Sequence, residues 1–218
     1  MQQIIEDILA EDLAAVINRY NAKSIFLVTG KSSYTKTGAD SFIQEVQNLC
    51  GTSFFHFSDF ESNPKIVDAK KGALLFRKHQ CDMIITTGGG SVIDMGKTIN
   101  ALQGNYHMDH EELVVTNQVA DQLCPLIAIP TTAGSGSEAT QFAVIYIGKT
   151  KYSLSHPDLL PRVVGLNFRF TMSQSGYQAA CSGLDALAQA IESYWSVQST
   201  EESVAWSIKA LKLLLPNL

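Results

Sequence analysis

The run Thr86-Thr87-Gly88-Gly89-Gly90-Ser91-Val92-Ile93-Asp94-Met95-Gly96-Lys97 is made of residue types that suit an anionic ligand. Glycines carry no side chain, so their backbone N–H groups can close around a phosphate. The helix expected to follow adds the positive end of its dipole and its unpaired first-turn donors. The same residues could form a plain strand-to-helix turn. Three consecutive glycines cost more conformational entropy than such a turn requires, which favours phosphate or dinucleotide binding. The run is neither the G-x-G-x-x-G fingerprint nor a Walker loop, because no Gly-Lys-Ser/Thr ends it.

A second segment, Ile129-Pro130-Thr131-Thr132-Ala133-Gly134-Ser135-Gly136-Ser137-Glu138, pairs small hydroxyls with a flexible backbone, and Lys149-Thr150-Lys151 follows a strand-like stretch from Phe142 to Ile147. Hydroxyls can donate to phosphate or carboxamide oxygens and a lysine can neutralise charge. The two loops could thus clamp a dinucleotide from opposite sides.

These loops need a scaffold, and the apolar spacing predicts one. Residues 3–19 have helical periodicity, Ser24 to Thr29 reads as a buried strand, residues 39–49 as a helix and Thr52 to Phe57 as a strand. A helix over 64–79 opens with Pro64, whose missing donor is no loss in a first turn. Strand 82–87, helix 91–102 and strand 125–129 continue the alternation, which predicts a doubly wound, mostly parallel α/β sheet. Such sheets bind ligands beyond the carboxyl ends of their strands, where Thr29-Gly30, Thr87 to Gly90 and Pro130 to Thr132 could share one crevice. Residues 104–122 read as an irregular polar connection, with His107 and His110 as solvated side chains rather than metal ligands.

From Ser173 onward the pattern is helical throughout, which divides the chain into a dinucleotide-binding domain, 1–170, and the first helices of an all-α domain, 171–218. Asp185, Gln189 and Glu192 stand at i, i+4 and i+7, so one helix face presents two carboxylates and an amide, with Asp185 at the start of its helix. A solvated polar face explains that spacing as well as a binding face does.

Composition narrows the function classes. The chain has 218 residues, 45% of them apolar and 17% charged, enough for one generous core, or for one domain with the beginning of another. A net charge of −5 with no Lys/Arg run argues against nucleic acid as a partner. Cys50, Cys81, Cys124 and Cys181 are scattered without a CxxC pair, as expected of reduced core thiols in a cytoplasmic protein. No apolar run reaches membrane-spanning length, and acidic residues interrupt the N-terminus where a signal peptide would be apolar.

Taken together, Gly88-Gly89-Gly90-Ser91 with Asp94 and Lys97, the stretch from Pro130 to Glu138, and Gly183-Leu184-Asp185-Ala186-Leu187 closely resemble the iron-containing alcohol dehydrogenase family. The resemblance covers nearly the whole chain. It implies a pyridine-nucleotide-dependent oxidoreductase acting on a small alcohol or aldehyde, with a dinucleotide domain followed by a helical domain that carries a divalent metal, Fe²⁺ or Zn²⁺. It also implies a dimer. Position by position, it places the pyrophosphate loop on Gly89, Gly90, Ser91 and Asp94 and the second cofactor loop on Thr131, Thr132 and Ser135. Lys151 matches the cofactor-facing lysine, and Asn63 the position that approaches the adenosine half.

At the end of the first strand, members that prefer NAD often carry an aspartate. Gly30, followed by Lys31, Ser32 and Ser33, leaves room and donors for a 2′-phosphate, so NADP is favoured over NAD. Two departures stand out. Asp185 matches the family's first metal ligand, but Gln189 replaces the histidine four residues later, and an amide oxygen is the poorer ligand. The chain also stops at Leu218, before the helices that supply the remaining ligands, which reads as a truncated member with half a metal site and no assigned catalytic residue. His156, beside Pro157, is the nearest proton carrier, although a loop histidine is more often bland. The tract Gln189 to Ser196 resembles a phosphonoacetaldehyde reductase-like subgroup. A non-catalytic nucleotide-binding fragment and a lyase of the dehydroquinate-synthase type are the alternative readings.

Overall fold

A computed structural model describes residues 2–119 and 123–218. The chain divides into two units, Met1–Thr131 with Ser137–Ser173, and Thr132–Gly136 with Gln174–Leu218. The expected boundary is 170/171, and the two units change over at Ser173/Gln174. The short segment 132–136 groups with the helical unit, which linear composition does not show.

In the first unit the elements run β1 (Gln3–Ile5), α1 (Ala10–Arg19), β2 (Ser24–Thr29), α2 (Ser33–Lys36), α3 (Ala39–Cys50), β3 (Ser53–Phe57), α4 (Ile66–Lys78), β4 (Met83–Gly88), α5 (Gly90–Gly104), α6 (His110–Thr116), β5 (Leu126–Pro130), β6 (Phe142–Ile147), β7 (Thr150–Ser155), β8 (Val163–Gly165) and α7 (Phe168–Thr171). A six-stranded sheet has the order β1-β8-β5-β4-β2-β3, every pair parallel. This is the doubly wound α/β architecture that the alternation predicts. The central strands β2, β4 and β5 are buried along their whole length, as expected where helices cover both faces of a parallel sheet. Alternate side chains feed two cores. Phe26, Val28, Ile84 and Ala128 face the layer of α4 and α5, whereas Ile25, Leu27, Ile85 and Ile127 face α1 and α3. Phe26 stacks on Phe57 at 5.8 Å and meets Phe76 edge-on at 5.7 Å.

Two local expectations are corrected. The helical reading of 3–19 holds only from Ala10, because Gln3–Ile5 pair in parallel with Val163–Gly165 and Asp7 turns the chain with φ 49. Within the connection 104–122, Asp109 accepts from the N–H groups of Glu111 and Glu112, both at 2.9 Å, and so nucleates α6, which buries Leu113 and Val114. Residues 120–122 of that connection lie outside the described residues. Thr150 and Lys151 open β7, and β6 and β7 form an antiparallel hairpin with Tyr146 opposite Lys151.

The second unit holds α8 (Gly176–Trp195) and α9 (Glu201–Leu214). Ser175 caps α8 by accepting from the N–H of Gln178, so the helix begins well before Asp185 and places that residue in its interior, not at its start. Thr200 and Ser203 cap α9 reciprocally, at 3.1 and 2.9 Å. The segment 132–136 runs against α8. Gly134 has φ 118, and a Cβ there would lie 2.3 Å from the Ser182 carbonyl oxygen, so position 134 admits only glycine without strain. Among the described residues no helix is long and apolar enough to cross a membrane.

Candidate dinucleotide site

The parallel sheet delivers the carboxyl ends of β2, β4 and β5 to one edge of the first unit. At the end of β4 the chain passes through Gly88 and Gly89 into α5, whose N-cap, Gly89, has extended backbone and no side-chain cap. With no side chain folded over them, the first-turn N–H groups of α5 are placed to receive an anion. The beginning of the second loop is tied to this turn, since Thr131 N–H donates to the Gly88 carbonyl at 3.0 Å. At the end of β2, a Cβ on Gly30 would lie 2.3 Å from Ser33 Oγ and 3.7 Å from a methyl of Val92 in the first turn of α5. The end of β2 therefore packs directly against the helix that the glycine turn opens, and any side chain at position 30 would have to displace Ser33.

Around Gly30 the polar groups are already engaged with one another. Buried Thr29 Oγ1 lies 2.6 Å from His56 Nε2, the His56 ring packs on Tyr34 at 5.2 Å, and Lys31 forms an exposed ion pair with Asp59 at 3.7 Å. Burial lowers the His56 pKa, and it raises that of Tyr34 to about 12 with help from Asp40, so both rings favour their neutral forms. An exposed ion pair at that distance holds Lys31 weakly and leaves its ammonium free to re-orient.

Asn63, with φ 62, precedes Pro64, whose carbonyl accepts from Tyr146 N–H at 2.8 Å. The Asn63 segment is thereby fastened to the hairpin that carries exposed Lys151 opposite Tyr146. Gly30, Asn63, Gly89, Gly90, Ser91, Thr131 and Lys151 all belong to the first unit. Thr132 and Ser135 belong to the second, together with Asp185 and Gln189.

Asp94 differs from the other loop residues. Its carboxylate accepts from Ser137 Oγ at 2.6 Å and from Val144 N–H at 3.2 Å. Burial raises its pKa, opposed by these two hydrogen bonds and by Lys97 and Lys151. One turn further along α5, Lys97 is fully buried and donates to the carbonyls of Ser137 (2.6 Å), Thr140 (2.7 Å) and Phe142 (2.8 Å), with Thr140 Oγ1 at 3.3 Å. Burial pushes its pKa down to about 8 against the pull of Asp94 and Glu138. The Glu138 carboxyl is itself raised by burial, and among the described residues its Oε2 has no hydrogen-bond partner. Sequence reading quotes Lys97 in the motif without giving it a task. The available signal was an ammonium set within a helix that is otherwise apolar or neutral on every side after Asp94.

In the second unit, Asp185 and Gln189 are exposed on α8 and bonded to each other, Gln189 Nε2 donating to Asp185 Oδ2 at 3.0 Å. A Cβ at Gly136 would lie 3.8 Å from Gln189 Oε1, which places the 132–136 segment beside this pair. Among the described residues no group of three or more His, Cys, Asp or Glu side chains could hold a metal. One carboxylate and one amide do not close a coordination sphere for iron or zinc. His156 caps a short turn, its Nδ1 accepting from Asp158 N–H at 3.2 Å. Cys81 is buried, but Cys181 is exposed on α8, which corrects the expectation that the thiols are core packing.

The parallel sheet and the glycine turn define an α/β fold of the dinucleotide-binding type, and the rest of the chain forms a helical unit. Residues 3–167 match the family described as iron-containing alcohol dehydrogenase, and the chain belongs to that family. It is 31% identical over 199 residues to the 1,3-propanediol dehydrogenase of Klebsiella pneumoniae, covering 90% of this chain and 51% of that protein. An iron-containing alcohol dehydrogenase from Thermotoga maritima superposes with a TM-score of 0.91 at 29% identity, covering 99% of this chain and 60% of that one. A sulfoacetaldehyde reductase from Bifidobacterium kashiwanohense, solved with NAD⁺, superposes with a TM-score of 0.87 at 25% identity over 98% of this chain and 57% of that one. The chain spans about half the length of the curated relatives it matches.

Proposed function

We propose that this chain is the cofactor-binding part of an oxidoreductase that uses a pyridine dinucleotide, NADPH in preference to NADH, to reduce a small anionic aldehyde to its alcohol. The observation that carries the reading is the uncapped glycine turn at the N-terminus of α5, packed beside the end of β2. Its first-turn N–H groups, with Gly89, Gly90 and Ser91, receive the pyrophosphate. Gly30 and the nearby Lys31 and Ser33 accommodate a 2′-phosphate, Asn63 lies along the adenosine half, and Thr131, Thr132, Ser135 and Lys151 serve the rest of the cofactor. When bound, the nicotinamide supplies the hydride, and the protein supplies its orientation.

Phosphonoacetaldehyde is the substrate suggested by the tract Gln189 to Ser196. The sulfoacetaldehyde reductase among the structural relatives acts on an aldehyde that is likewise small and anionic. Apolar side chains exposed on the second unit, Leu184, Trp195, Trp206 and Leu213 among them, support a homodimer, and the unpaired cysteines support a reducing, cytoplasmic setting. Asp185 and Gln189 do not by themselves hold the metal that gives the family its name. That favours a second reading, a unit that binds dinucleotide without turnover. A measurable rate with Fe²⁺ and a small aldehyde would exclude it.

Fluorescence titration with NADPH and NADH tests the main proposal, and a flat response to both removes it. Replacing Gly30 by Asp sharpens the test, because a carboxylate there would clash with Ser33 and repel the 2′-phosphate. The expected result is NADPH affinity reduced by about tenfold or more, with NADH affinity changed less.

A further inference from the structure

We propose that Lys97 is a positioning residue that fastens the exit of the 131–137 loop to α5, so that the chain leaving the second cofactor loop is held by the helix that opens the first. The inference rests on the dinucleotide reading for its functional meaning but on hydrogen-bond geometry for its existence. The loop begins at Thr131, whose N–H bonds Gly88 in the glycine turn, and it ends at Ser137. At that exit, α5 grips the chain through two side chains spaced three residues apart. Asp94 takes the Ser137 hydroxyl and the Val144 N–H, and Lys97 takes the carbonyls of Ser137, Thr140 and Phe142.

Carbonyls at 137, 140 and 142 converge on one ammonium, an arrangement that neither a helix nor a strand would provide for them. Their donor is the side chain of a helix whose own N-terminus opens the phosphate loop. Lys97 is fully buried, so it touches no cofactor and acts only through the loop it holds. Between the two fastened ends, residues 132–136 carry Thr132 and Ser135.

The charged groups facing Lys97 are Asp94 on its own helix and Glu138 in the turn, and Lys151 on β7 acts on the same carboxylate, Asp94. The two acids balance the buried ammonium, and the carbonyls complete its hydrogen bonding. A buried ammonium so placed is costly unless every donor is used, which ties the geometry of the 137–142 segment to Lys97 itself.

The test compares the unmodified chain with Lys97→Met, which keeps much of the volume and removes the donors, and Lys97→Gln, which keeps two N–H donors without the charge. Hydrogen exchange of peptides covering 137–142 reads the anchor directly. Titrations with NADPH and with 2′,5′-ADP, which carries only the adenosine half, read its consequence. Faster exchange confined to 137–142 in Lys97→Met, partial recovery in Lys97→Gln, and NADPH affinity weakened about tenfold while 2′,5′-ADP affinity stays within about twofold would support the proposal. A general loss of stability would instead weaken both ligands together and speed exchange across the sheet, and that outcome overturns it. Native exchange rates at 137–142 in a folded Lys97→Met chain also overturn it. If the unmodified chain binds no NADPH, the dinucleotide reading fails on its own, and the exchange measurement still decides the anchor. If Lys97→Met does not fold, Lys97→Gln decides by the same two readouts.

Discussion

Helices α5 and α8 each carry an aspartate with a polar partner on the same face, Asp94 with Lys97 and Asp185 with Gln189, yet the two pairs do different work. In α5 both side chains point into the protein and bond backbone and hydroxyl groups of the 137–144 segment. In α8 the two side chains are exposed and bond each other. Helical spacing is nearly the same in both, and burial makes the difference. A carboxylate enclosed by donors becomes a structural joint, whereas the same group in water remains available but weakly committed. The contrast extends to the units as wholes. The sheet unit buries long apolar runs on both faces, while in α8 and α9 Trp195 and Trp206 remain 72% and 59% exposed.

The largest expected effect lies in that packing contrast. Phe26→Ala removes a ring held between Phe57 and Phe76 and should cost about 3–5 kcal/mol in a denaturant melt, whereas Trp206→Ala should cost about 1 kcal/mol or less. Similar losses would show that the second unit is packed as tightly as the first. Next comes the pair of aspartates. Asp94→Ala strands the Val144 N–H, the Ser137 hydroxyl and the Lys97 charge, for a loss of about 3 kcal/mol, against about 0.5 kcal/mol or less for Asp185→Ala. Equal costs for the two substitutions would break the comparison.

The smallest effect is a slope. Burial lowers Lys97 from its ordinary 10.5 to about 8, so between those values the unfolded chain holds a proton that the folded chain has released. Unfolding then takes up a proton, and Lys97 makes stability rise with pH across that window. Difference melts of the parent chain and Lys97→Met between pH 7.5 and pH 10.5 should show the parent gaining relative to the variant. A relative loss would mean that the carbonyls and acids hold the ammonium charged to a higher pH in the folded chain than in the unfolded one.

Much of the scaffold was legible because its determinants are local. Continuous apolar runs mark strands covered on both sides. The short strands β1 and β8 were not legible, since three residues paired with a distant partner leave no periodicity to read. The beginning of α8 was missed because a cap at Ser175 outweighs the small residues before Asp185 that looked like a boundary. For the candidate site, the glycine turn, Gly30 and Thr131 could be proposed from residue type, and the structure places them in one unit. The work of Lys97 could not, because its partners are backbone carbonyls, which every residue has.

By itself, the sequence determined the alternation of strands and helices, the glycine run at the end of β4 and the family to which the chain belongs. Each depends on residue type and spacing, which survive in one dimension. Only the tertiary structure decided that Asp94 and Lys97 turn inward to hold the 137–142 segment, that residues 132–136 group with the helical unit, and that Asp185 and Gln189 face solvent as a bonded pair. Those outcomes depend on burial and on backbone partners distant along the chain, and neither is encoded in local periodicity.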